Sequence, residues 1–195
     1  MESFILIIGF GAILQGLFLS GLYIFSNKHK SKANVILGLF LFALIWEGIN
    51  SFFPIRNIGV YPIGDYFGLP ESKLFVTALF FHYVLTKVNK TEKYKSFLNS
   101  IYTLGFLIAS LTIFNIGLSI SSGTTIRIFF GDEVVNLIFM TQQVISYLLT
   151  VIIILLSMTE VQNAKKQAAN YYSDPEKGKL SWMSRFVYLF IPVIV

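Results

Sequence analysis

With 55% hydrophobic and only 13% charged residues in 195, the chain is too apolar for an ordinary soluble domain, in which about 25% of residues are charged. Its net charge of +5 would suit a nucleic-acid surface, but the basic residues sit in short loops beside long apolar runs, and orientation in a bilayer explains them better. The absence of cysteine excludes disulfides, thiolate nucleophiles and cysteine-ligated metals.

A hydrocarbon core about 30 Å thick takes roughly 20 residues of helix to cross. The first run that meets this length is Phe4–Phe25, uncharged throughout. Glu2 is the sole early charge, so the basic n-region of a cleavable signal is missing. Ala12, Gly16 and Ser20 recur at four-residue spacing, a small-residue stripe that lets a second helix approach closely. Gln15, beside the stripe, is expected to make an interhelical hydrogen bond. A basic turn follows, with Lys28, His29, Lys30 and Lys32.

The second span is Val35–Phe53. Glu47, Asn50 and Ser51 share one face near its outer end. A carboxylate at that depth is a functional candidate, for a cationic or hydroxylated ligand or for titration; the alternative is a hydrated or Arg56-paired glutamate. Residues Pro54 to Pro70 are rich in turn formers, among them Gly59, Pro62, Gly64 and Gly68. The third span, Glu71–Val88, holds His82 about 16 Å from its outer start. A lone histidine without further ligands at metal spacing predicts a structural hydrogen bond, with a proton relay to Glu47 as the alternative.

After Lys90, Lys93 and Lys95 comes a fourth span, Phe97–Ile120, then a polar connection, Ser121–Glu133. The fifth span is Val134–Met158. Asn136, Met140, Gln143, Tyr147 and Thr150 follow a four-three-four-three spacing that predicts one seam, either between two helices or along a cavity, the helix seam being favoured. Residues Glu160 to Tyr172 extend this helix beyond the membrane. Ser173-Asp174-Pro175-Glu176 then reads as a stop and restart. A sixth span opens near Leu180 with Trp182 and Arg185 at the interface, and Phe186 to Val195 covers about half a bilayer. A carboxylate at that depth is costly, so the expectation is a longer protein with a completed sixth and a seventh span.

Basic residues gather in alternate loops. Lys28, Lys30 and Lys32, then Lys87, Lys90, Lys93 and Lys95, then Lys165, Lys166, Lys177, Lys179 and Arg185 fall on one side, against Arg56, Lys73 and Arg127 on the other. Positive residues stay in the cytoplasm, so the N-terminus is expected outside, in a multi-pass protein of the bacterial inner membrane. Zinc-protease, nucleophile-elbow and phosphate-loop motifs are missing, and no lysine lies deep in a span. Neither an enzyme nor a metal or cofactor site is expected.

The segment Tyr171-Tyr172-Ser173-Asp174-Pro175-Glu176-Lys177-Gly178-Lys179-Leu180-Ser181-Trp182-Met183-Ser184-Arg185 resembles the aromatic-Ser…Leu-x-Trp-Leu-x-Arg junction before the sixth helix of bacterial membrane-bound regulators. Leu37-Gly38-Leu39-Phe40-Leu41-Phe42-Ala43-Leu44 is similar in style to their second helix. Where such bundles carry a Gly-Pro step, this chain reads Thr77-Ala78-Leu79-Phe80-Phe81-His82-Tyr83. The resemblance implies an N-terminal bundle of about seven helices joined to a cytoplasmic output domain, most often an AraC-type helix-turn-helix domain and in relatives a histidine kinase.

The expectation is therefore an all-α polytopic transmembrane bundle, with residues 1–195 forming the input domain of a one-component transcriptional regulator. DNA would be contacted only through a further C-terminal domain, and a homodimer is open. Glu47, Asn50, Gln143, Tyr147 and His82 are the candidate residues for a small-molecule or lipid signal. A kinase input domain and a small-solute transporter are the alternatives.

Overall fold

The computed structural model describes residues 2–26, 31–52, 57–58, 61–62, 70–171 and 182–188. In chain order these form α1 (Glu2–Phe25), α2 (Lys32–Phe52), β1 (Asn57–Ile58), β2 (Tyr61–Pro62), α3 (Pro70–Lys87), a 3₁₀ turn (Glu92–Tyr94), α4 (Lys95–Ser122), α5 (Arg127–Phe130) and α6 (Asp132–Tyr171). A short helix, α7, covers residues 182–188. Among the described residues the strands amount to one antiparallel pairing, Asn57 with Pro62 and Ile58 with Tyr61. The fold is otherwise helical. Of the expected features, the basic turn at Lys28–Lys30, most of the Pro54–Pro70 stretch and the Ser173–Glu176 restart lie outside the described residues.

Three stretches among the described residues are long and apolar enough to cross a membrane: Ile7–Phe25, Glu92–Ser122 and Asp132–Ala168. The surface supports a hydrocarbon surrounding. Phe18 and Leu137 are 67% and 66% exposed, whereas Ser157 is 0% and Thr77 3%. Water drives the opposite arrangement; lipid leaves apolar side chains outside and makes polar ones seek partners inside.

α3 is the axis on which α2, α4 and α6 all pack. It is apolar nearly all round, with Leu74, Ala78, Phe80, Phe81, Val84 and Leu85 fully buried, as a central helix requires. Phe80 stacks on Phe186 of α7 and tilts against Phe40 of α2, with centroids 5.6 and 6.0 Å apart. Phe75 meets Phe106 of α4 edge-on at 5.0 Å. The helix ends in a left-handed cap at Asn89 (φ 56°), where the Lys90 amide donates to the Leu85 carbonyl at 2.8 Å.

The α1–α2 pair depends on small residues. Ser20 is buried, and its hydroxyl donates to the Gly38 carbonyl at 2.8 Å. A Cβ on Gly38 would sit 2.7 Å from Ile24 Cγ1 and 3.0 Å from the Ser20 carbonyl oxygen, so this approach requires glycine. Gly16 similarly faces Ile45. Ala12 and Gln15 stay exposed, so two of the three stripe residues carry the interface.

α6 is one uninterrupted helix of 40 residues, about 60 Å long and twice the thickness of a hydrocarbon core. Before it, the polar connection folds back on α4. The buried Asn115 Oδ1 accepts from the Ile126 amide at 3.0 Å, and Arg127 pairs with Asp132 and donates to Asn136 Oδ1 at 3.0 Å.

Candidate functional site

The α3–α6 interface holds a polar ladder. Thr77 and Thr150 hydroxyls are 3.0 Å apart and both buried. Each is also placed to donate to a carbonyl one turn earlier, Thr77 to Lys73 at 2.7 Å and Thr150 to Ser146 at 2.8 Å. Two hydroxyl protons serve three contacts, so when one threonine donates across the interface its bond within the helix is given up. One turn outward, Lys73 Nζ donates to Tyr147 Oη at 3.1 Å and lies 4.8 Å from the ring centroid.

The opposite end of the interface is closed by Glu160. It is 3% exposed, and its Oε1 accepts from Lys93 Nζ at 2.6 Å and from Tyr94 Oη at 2.7 Å. The 3₁₀ turn places both donors, and Tyr94 is held against Phe81 with ring centroids 5.3 Å apart. A buried carboxylate is tolerated only when charge and donors meet it, which Lys93 and Tyr94 supply.

The buried face of α6 runs through Val135, Gln142, Ser146, Thr150, Ile153, Ser157, Glu160 and Val161. The predicted seam of Asn136, Met140, Gln143, Tyr147 and Thr150 shares only Thr150 with it. Asn136, Met140, Gln143 and Tyr147 are exposed. That prediction is corrected: the packing face is displaced by one residue, about 100° around the helix. Thr150, and Tyr147 through its bond with Lys73, still meet α3 from the predicted seam. Small Ser146 and Ser157 lie on the buried face of α6, whereas bulky Met140 is exposed and Tyr147 reaches α3 only at the edge, through Lys73. Gln142 Nε2, Ser146 Oγ and Ser157 Oγ are buried without a hydrogen-bond partner among the described residues.

Glu47 is half-buried on α2, next to Trp46, and Asn50 lies on the same helix with its side chain outside the described residues. His82 sits elsewhere. From the Phe40–Phe80 contact, Glu47 is seven residues along α2 one way and His82 two residues along antiparallel α3 the other, which separates them by about 13 Å along the bundle. The proton relay has no direct geometry. Gln143 and Tyr147 belong to α6, which packs on α3 rather than extensively on α2.

His82 instead meets Tyr102 of α4, with Nδ1 and Oη 3.2 Å apart. Both line a groove of about 790 Å³ between α2 and α4, walled mostly by apolar side chains from Ile36 to Ile116. This groove has no signature in the sequence, because the three helices lining it are continuous and the opening arises where α2 and α4 both rest on α3. Among the described residues, no group of His, Asp and Glu is arranged to hold a metal.

No protein-family model, curated protein or solved structure matches the chain.

Proposed function

We propose that the chain is the membrane-embedded input domain of a one-component transcriptional regulator in the bacterial inner membrane. In this reading six spans are begun, the N-terminus is outside, and a cytoplasmic AraC-type DNA-binding domain follows the bundle, in keeping with the Tyr171–Arg185 resemblance. A small-molecule or lipid signal would shift helix packing, and the shift would reach the output domain.

The observation that carries this reading is α6. A single helix of about 60 Å includes the polar ladder to α3 and then continues past Glu160 to Tyr171. A rigid rod that long moves its far end whenever its membrane portion tilts or rotates. The Lys93–Glu160 and Tyr94–Glu160 bonds fix its angle against the loop between α3 and α4. Two packings that differ at this clamp would supply the bistable element that coupling requires, worth about 1–3 kcal/mol in a typical case.

The test is chromatin immunoprecipitation of the tagged full-length protein from isolated membranes. Recovery of specific DNA fragments, altered by Glu160→Ala, is expected; recovery no better than from an untagged strain contradicts the proposal.

A further inference from the structure

The groove between α2 and α4 has a polar end and an apolar length. His82 and Tyr102 lie with Ile36 at one end; Trp46 and Ile116 lie toward the other. Ile36 to Trp46 is ten residues of helix, so the groove runs about 15 Å along the membrane normal. Its volume of about 790 Å³ falls in the range of small-molecule sites, and it opens sideways between two helices that make little contact with each other. Phe42 and Phe106, 49% and 63% exposed, flank that opening.

We propose that this groove binds a single-chain amphiphile from the bilayer, an acyl chain ending in a carboxylate, with the head at His82 and Tyr102 and the chain toward Trp46.

The hydrogen-bond inventory argues for an accepting head group. His82 Nε2 is buried with no partner among the described residues. When Tyr102 donates to Nδ1, the ring proton sits on Nε2 and that donor has nothing to serve. In the other tautomer Nδ1–H donates to the tyrosine oxygen, and the phenol proton is left over. Each arrangement keeps one donor spare; Nε2 is closed off in this packing, so a carboxylate oxygen reaches it only when the imidazole turns toward the groove. Lys32, at the start of α2, lies within Coulombic reach of the imidazole and makes an anionic head preferable to a cationic one. Thr112, the further hydroxyl in the wall, turns back to the Ile108 carbonyl at 3.3 Å, which leaves the rest of the groove to an acyl chain. As a signal site the groove rests on the input-domain reading; as a binding site it rests on this geometry alone.

The test uses the purified chain in phosphatidylcholine nanodiscs with a diazirine-bearing palmitic acid. Label is expected on α4 between Tyr102 and Ile116 and on α2 between Ile36 and Trp46. Unlabelled palmitate should displace it at least about tenfold better than hexadecanol, which lacks the charge. His82→Phe should weaken labelling about tenfold. Ala109→Trp, and independently Leu39→Trp, should abolish it by filling the groove, whereas Leu111→Trp on the lipid face should not. Unchanged thermal midpoints verify that each variant folds. Labelling indifferent to both filling variants, or equal displacement by the alcohol, would mean annular lipid only and overturn the proposal. Crosslinks showing another helix of this chain, or a second copy, in the groove would overturn it too. Labelling as expected without any change in hydrogen exchange over residues 160–168 would uphold the site and contradict the input-domain reading instead.

Discussion

Lys93 and Glu160 face each other at 2.6 Å, one largely in the open and the other 3% exposed, and they join the α3–α4 loop to the last third of the longest described helix. The contact is unequal by construction. Glu160 has given up its solvent, while the Lys93 side chain remains 58% exposed. Tyr94 supplies the second donor and adds no charge.

Removing the acid and removing the base should therefore differ. Glu160→Ala leaves Tyr94 Oη without its acceptor and is expected to cost about 2 kcal/mol in thermal or denaturant unfolding in detergent. Lys93→Met leaves the desolvated Glu160 carboxylate without its charge partner and should cost clearly more. An equal or smaller loss for Lys93→Met would show that the carboxylate does not depend on the lysine charge.

Gly38 offers a steric test of the α1–α2 contact. Gly38→Ala sets a Cβ against the Ser20 carbonyl and Tyr23 Cβ, at 3.0 and 3.1 Å, and is expected to destabilise by about 1–3 kcal/mol. Gly48→Ala, with open space around it on the same helix, should be neutral or slightly stabilising. The difference in unfolding midpoint between the two variants is the measurement.

The threonine pair calls for a double-mutant cycle. Thr77→Val and Thr150→Val each remove one partner of the interhelical bond, and the double variant removes both. A coupling of roughly 0.5–2 kcal/mol is expected, the range of hydrogen bonds between helices in lipid. Additive effects would mean that the hydroxyl protons stay with the carbonyls of their own helices.

For the residues first singled out as signal ligands, the separation of Glu47 from His82 makes a specific forecast. Glu47→Gln and His82→Phe should act independently, their effects on any ligand response adding within about 0.5 kcal/mol, because groups this far apart share no partner. Strong non-additivity would place them in one site.

The helices were legible in the sequence because each is a long apolar run ended by lysines or turn formers. α2, α3 and α4 start and stop within a few residues of the boundaries that composition suggests. The small-residue stripe on α1 was legible for the same reason: Gly16 and Ser20 leave room that no other side chain does. The phase of α6 was not. In a helix long and apolar enough to cross a membrane both faces are apolar, so the usual hydrophobic contrast is weak, and Gln142 and Gln143 are adjacent amides of equal promise. Packing decides between them through the small residues Ser146 and Ser157. The groove beside His82 depends on how far apart α2 and α4 stand on α3, a tertiary distance with no local signature. Tyr102 carried no signal as the partner of His82, because the two are twenty positions apart on different helices.

The absence of cysteine makes one experiment unusually clean: single cysteines at Lys93, Thr124 and Lys166, probed with a membrane-impermeant maleimide in intact cells and after permeabilisation. If the chain crosses the bilayer with its basic loops in the cytoplasm, position 124 reacts in intact cells and positions 93 and 166 react only once the membrane is opened. Equal reactivity of 93 and 124 in intact cells, at opposite ends of α4, would contradict the account.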